Sequence, residues 1–237
     1  CQNLADMGAE VIKVEPPEGE PWRVFNQFIP GEGKYFQSLN RGKYSLVLNL
    51  QHPEAQDVIH KLIPEIDVVI INYRPDVPKK LNIDYETLQN LRSDLIYVDN
   101  TAFGRKGPNA DKPGYDIIAQ ALSGLMVNEG KYDAVTGTPK NIASTPIADY
   151  GTGIAIAWGV CAALYHREKT GEGQLIESNL LQTALAFQGS HVMDLPAADT
   201  LKYERMENVH QLQEKGASYP ELIDAHNPLS QLSEGNI

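Results

Sequence analysis

Only two cysteines occur in the 237 residues, Cys1 and Cys161, far apart in the chain. Neither a disulfide framework nor a metal-ligand spacing can be built from them, and a reducing, cytoplasmic compartment is the expectation. No stretch reaches the roughly 18 consecutive apolar residues of a membrane span. The longest candidate, Ile154 to Leu164, runs into "HREK" and reads as a buried core helix, so no membrane partner is expected. No GxGxxG follows a strand pattern and no GxxxxGK[ST] is present, so a dinucleotide or P-loop site lacks its phosphate cradle and an NAD-type oxidoreductase is disfavoured. The six histidines, at 52, 60, 166, 191, 210 and 225, form no spacing such as HExxH, and no metal is expected. Basic residues are outnumbered, 20 Lys and Arg against 31 Asp and Glu. The net charge of −11 argues against a nucleic-acid partner but leaves room for a local basic site that holds a phosphorylated ligand.

What is present fits a packed α/β chain. Hydrophobic residues make up 42% and charged residues 22%, enough to build a core under a polar surface. The chain opens on "CQNLADMGAEVIKVE", a helix already under way, without the basic and apolar regions of a signal peptide; the expectation is that the natural N-terminus lies upstream. Short Val/Ile-rich runs at 10–15, 45–50, 67–72 and 95–100 suit strands of a parallel sheet covered on both faces. Between them "HPEAQDVIHKLIPE" places Pro53 at a helix start with Val58, Ile59, Leu62 and Ile63 on one stripe, and "DYETLQNLR" opens on Asp84 with Thr87 three residues on. Residues 101–116, dense in Gly, Pro, Asn and Asp, form a loop at a strand's C-terminal end, where open α/β sheets place ligands. A helix over "YDIIAQALSGLMV", a strand at "QLIES" and an apolar helix over "NLLQTALAFQGSHVMDL" follow. The predicted fold is α/β, Rossmann-like, with a largely parallel sheet and flanking helices over 1–195. Residues 196–237 read as a polar extension with at most one helix, near 201–215.

Two features carry chemistry. Asp149, in "IADYGTG", stands before an apolar helix, with Gly151 and Gly153 beyond it. It reads as a helix N-cap, or as a nucleophile kept ionised by the helix terminus with the glycines leaving space for a ligand; the two readings are compatible. Basic residues gather at turns beside strand ends: Arg23; Arg41 and Lys43; Arg74, Lys79 and Lys80. Each is by default a solvated side chain, but the grouping points to an anionic ligand.

"LADMGAEVIKVEPPEGEPWR", "NRGKYSLVLNL", "NYRPDVPKKLNIDYETLQNLRSDLIYVDNTAFGRKGP", "PGYDIIAQALSGLM" and "ADYGTGIAIAWGVCAALYHREKTGEGQLIESNLLQTAL" together closely resemble the family III CoA-transferases over roughly residues 2 to 190. The resemblance implies a Rossmann-like large domain that binds CoA, here without its first strand, in a homodimer of interlocked chains. It implies acyl-CoA and a small carboxylic acid as substrates, with no permanently bound cofactor. Asp149 would be the nucleophile, forming a mixed anhydride and then an aspartyl-CoA thioester; Gly151 and Gly153 would give the reacting carbonyl space and N–H groups, and Asp116 would be an acidic neighbour. CoA contacts would fall on Arg23, Leu48, Gln51, Asn72, Tyr73, Arg74 and Lys80, with Gln51 and Lys80 standing where the family commonly has Lys and Arg. A related enzyme, α-methylacyl-CoA racemase, uses the His of a "GHD" motif as base. Tyr115 occupies that place here, which favours transferase over racemase or epimerase. Beyond residue 190 no counterpart of the family's small domain is recognisable, so a non-catalytic CoA-binding subunit or fragment is the remaining alternative.

Overall fold

The structure, a computed structural model, describes residues 1–24, 27–29, 32–129, 131, 133, 135–193, 195–218 and 221. In chain order it builds α1 (Gln2–Asp6), β1 (Val11–Glu15), β2 (Gln27–Ile29), β3 (Glu32–Gly33), α2 (Lys34–Asn40), β4 (Lys43–Val47), α3 (Pro53–Leu62), β5 (Val68–Ile71) and α4 (Val77–Lys80). There follow α5 (Tyr85–Gln89), β6 (Ile96–Thr101), α6 (Asp116–Leu122), α7 (Leu125–Asn128), α8 (Ile147–Thr170), β7 (Gln174–Asn179), α9 (Leu180–Ala186) and α10 (Pro196–Glu214). Contacts divide the chain into two compact units, Cys1–Gln188 and Gly189–Ile237, the second containing α10.

The five predicted strands form and pair in parallel, but in two groups. β1 pairs with β4, Val11 opposite Lys43 through Glu15 opposite Val47. β6 lies between β5 and β7, with Val68 opposite Ile96 and Ile96 opposite Gln174. Between β1 and β5 runs an apolar slot of about 450 Å³, lined by residues 11–14 and 68–71, with Cys1 and Asn72 among its other lining residues. β2 and β3 make a separate antiparallel pair.

The three-stranded sheet is covered on both faces, as the uninterrupted apolar runs require. Ile59, Ile63, Ile83 and Leu88 pack with Tyr97 on one side. Leu4, Ile156, Ala157 and Val160 pack with Val98 on the other. Full burial of each such side chain is worth about 1.5–3 kcal/mol. The α3 stripe is narrower than predicted: Ile59 and Ile63 are buried, whereas Val58 faces solvent. At α5 the Asp84 side chain accepts from the Thr87 N–H (3.1 Å) and caps the helix as its spacing suggested.

Helix α8 is the scaffold of the site. Near its C-terminus Arg167 pairs with Asp67 (2.8 Å) and Asp94 (3.7 Å), just before β5 and β6. The helix therefore runs against the strands and presents its first turn at their C-terminal ends. It is not the wholly buried helix expected. Ile156, Ala157, Val160 and Ala163 are buried, while Ile154, Trp158, Cys161 and Tyr165 are exposed. By length and composition alone α8 could cross a membrane, but its buried face is built into the core of the three-stranded sheet.

Candidate active site

The chain enters α8 through Pro146, which offers no side-chain cap. Asp149 is therefore not the N-cap. It lies in the first turn, two residues after Ile147, and its own N–H is among the orphan donors of the helix start. Asp116, the first residue of α6, supplies the missing acceptor from another element. Its Oδ1 accepts from the Ala148 N–H (2.6 Å) and the Asp149 N–H (3.1 Å). A carboxylate in this position stabilises a helix N-terminus by about 1 kcal/mol.

The Asp149 side chain opens into a cleft of about 710 Å³. Asp116, Gly153, Asn72, Arg41 and Lys43 also line it, with Trp22 and Tyr35. Among the described residues Asp149 makes no ion pair, and protein crowds it; burial first, and the charge of Asp116 second, push its carboxyl up to about 6. The pair of carboxylates is thus asymmetric: Asp116 is bound to backbone donors, and Asp149 faces the space where a ligand would lie.

The two glycines separate. A side chain on Gly151 would run into Phe187 and Thr183 of the following segment, so this glycine permits a close helix contact and gives no room to a ligand. Gly153 lines the cleft with open space around its Cα. Both sit beyond the first four residues of α8, where N–H groups are committed to the helical ladder, so neither supplies the oxyanion donors expected of them.

The expected CoA contacts are also divided. Asn72, just past β5, lines the cleft. Arg23 does not line it; it makes a bidentate pair with Glu15 (Nε to Oε2 2.6 Å, Nη2 to Oε1 2.7 Å) and lies over the Phe36 ring at 3.9 Å. Its guanidinium is thus held by the fold through Nε and Nη2, while about a third of the side chain, 34%, stays exposed. Leu48 is half-buried against the core cluster of Ile59 and Tyr97, and Tyr73 lines the slot. Gln51 and Arg74 are exposed beyond the ends of β4 and β5, and exposed Lys80 pairs with Asp76 (2.6 Å). Gln51, Tyr73, Arg74 and Lys80, here termed the rim, all lie outside the lining of the Asp149 cleft.

Lys43 and Arg41 were visible as a basic turn and do reach the cleft. Burial first, and Lys13 second, push the Lys43 amine down. Trp22 and Tyr35, ring centroids 5.4 Å apart, carried no sequence signal, because two aromatics thirteen positions apart meet only through the fold.

The profile of CoA-transferase family III matches residues 1–219. The chain is 37% identical over 185 residues to an acetyl-CoA:oxalate CoA-transferase of Acetobacter aceti, covering 78% of this chain and 47% of that protein. It is 41% identical over 201 residues to a succinate–glutarate CoA-transferase of Agrobacterium fabrum, covering 81% and 49%. The crystal structure of Rv3272 from Mycobacterium tuberculosis superposes with a TM-score of 0.75 at 33% identity, over 81% of this chain and 53% of that one. The chain spans about half the length of the curated relatives it matches. The extent of the profile match, the relatives and the shared parallel α/β architecture agree: this chain belongs to CoA-transferase family III.

Proposed function

We propose that the protein is an acyl-CoA:carboxylate CoA-transferase that uses Asp149 as a covalent nucleophile. The observation that carries the reading is the Asp149 carboxylate, open to a cleft, without a cation partner among the described residues, and raised to a carboxyl value of about 6 beside a fixed Asp116. At neutral pH such a group is about nine-tenths ionised and open to the cleft, which favours attack on a thioester carbonyl. Attack forms an Asp149–acyl anhydride and breaks the C–S bond, releasing CoA thiolate. The thiolate then adds to the Asp149 carbonyl and expels the donor acid as its carboxylate, leaving an aspartyl-CoA thioester. An acceptor carboxylate attacks that thioester, CoA thiolate leaves, and its return to the acceptor carbonyl delivers the new acyl-CoA and regenerates Asp149. No proton, water or electron is consumed, so the thioester's free energy is retained.

Acyl-CoA and a small carboxylate as substrates agree with the activities for which the oxalate and succinate–glutarate relatives are named. Asn72 at the cleft and the rim of Gln51, Tyr73, Arg74 and Lys80 suit the two ends of a CoA molecule. A Rossmann-like CoA-binding domain over 1–195 agrees with the parallel pairing of β1 with β4 and of β6 with β5 and β7. The working form is a cytoplasmic, interlocked homodimer, in which 196–237 is a polar extension or the start of a linker or small domain. The racemase alternative loses support from Tyr115, a phenol in place of an imidazole.

The test is to incubate the protein with a panel of short acyl-CoAs, trap with hydroxylamine or borohydride, and map the product by mass spectrometry. Modification at Asp149 that disappears in Asp149→Ala establishes the mechanism. A folded protein that binds CoA yet yields no adduct overturns it in favour of a binding subunit.

A further inference from the structure

Gln120 is completely buried in α6, one turn after Asp116, and no charged ligand or apolar need explains an amide at that depth. Its two polar atoms are fully engaged. Nε2 donates to Asp116 Oδ2 (2.6 Å) and to the Ile142 carbonyl (3.4 Å), and Oε1 accepts from the Ile142 N–H (2.9 Å). Ile142 belongs to the segment that, with Asn141, Ala143 and Thr145, forms one wall of the cleft. Asp116, gripped at Oδ2 by this amide, turns Oδ1 to the Ala148 and Asp149 N–H groups. One side chain therefore ties together the cleft wall, the capping carboxylate and the first turn that carries Asp149.

We infer that Gln120 is a positioning residue which sets the orientation of Asp116 and the place of the 141–145 wall, and so fixes Asp149 against the bound acyl group. The inference rests on the transferase reading for its kinetic consequence but not for its structural one. Both jobs need an amide. A carboxylate at this position could accept from the Ile142 N–H but could not donate to Asp116, and a hydrocarbon of the same length could do neither. An amide one methylene shorter would not reach both partners.

The experiment compares Gln120→Met and Gln120→Glu with the unaltered chain in two assays. Hydrogen exchange followed by mass spectrometry should show the peptide over 141–149 exchanging at least about fivefold faster in Gln120→Met, with β6 unchanged, since each lost bond of this kind removes roughly 1 kcal/mol of protection. In Gln120→Glu, protection at Ile142 should persist while that at Ala148 and Asp149 falls. In the transferase assay both variants should lose about ten- to a hundredfold in kcat with KM for acyl-CoA within about threefold, the pattern of a misplaced reacting group. Unchanged exchange over 141–149, or kcat within twofold of the unaltered chain at a lowered Tm, overturns the inference. An unaltered chain that transfers CoA between no pair of acids defeats the transferase reading alone, and the exchange data still decide the role of Gln120.

Discussion

Two carboxylates in this molecule have been pushed in opposite directions. Glu15, at the end of β1, is almost wholly buried, yet it is held down to about 2 by the Arg23 fork, with the Ser45 hydroxyl (2.9 Å) and the Glu20 N–H (3.3 Å) as further donors. Asp149 reaches open space, yet its carboxyl rises to about 6, because what surrounds it is protein bulk and a second acid. Burial pushes both carboxyls up; at Glu15 the donors outweigh it, and at Asp149 burial and the charge of Asp116 prevail. A carboxylate whose lone pairs are all taken is a structural part, and one left short of partners beside a cleft is available for chemistry.

The sharpest way to break this contrast is to remove the reactive member. Asp149→Ala should abolish transferase turnover by about a thousandfold or more, with CoA binding retained, as measured by steady-state transfer and by calorimetry. The reciprocal change, Glu15→Gln, should leave chemistry intact and act on stability. It replaces the charged acceptor of the Arg23 fork by an amide at an almost wholly buried position, and a loss of about 2 kcal/mol is expected in urea unfolding. Between these lies pH. A nucleophile must be ionised, so kcat should fall about tenfold per unit as the pH drops below 6. Glu15 has the reverse sign of shift. Its contribution is complete above the ordinary carboxylate value and is lost as pH falls toward 2, so the Tm difference between Glu15→Gln and the unaltered chain should shrink in acid. A smaller effect belongs to the rim: Arg74→Ala should raise KM for acyl-CoA about three- to tenfold with kcat unchanged, since an exposed guanidinium there meets the ligand equally before and during reaction. If kcat falls instead, the rim and the cleft are not separate.

Much of this was legible in the residues. The strands announced themselves as Val/Ile runs because a sheet covered on both faces needs apolar side chains at every position, and Tyr97 and Val98 face opposite cores as that requires. Asp84 declared its cap because the Thr87 amide it serves lies within the same turn. The failures are all long-range. Gly151 looked like ligand space until Phe187, 36 residues on, occupied the gap. Asp149 looked like a cap since no local signal shows that Asp116, from a different helix, already serves those donors. Gln120 passed as one more polar residue on a helix, because total burial is a tertiary fact.

The slot between β1 and β5 has a consequence for how the protein must be handled. Among the described residues β1 pairs only with β4 and β5 only with β6, so each keeps one edge of backbone donors and acceptors, and such an edge is adhesive toward any extended chain that comes near. Edges of this kind on two copies pair with each other, so self-association should rise with protein concentration, as read by light scattering.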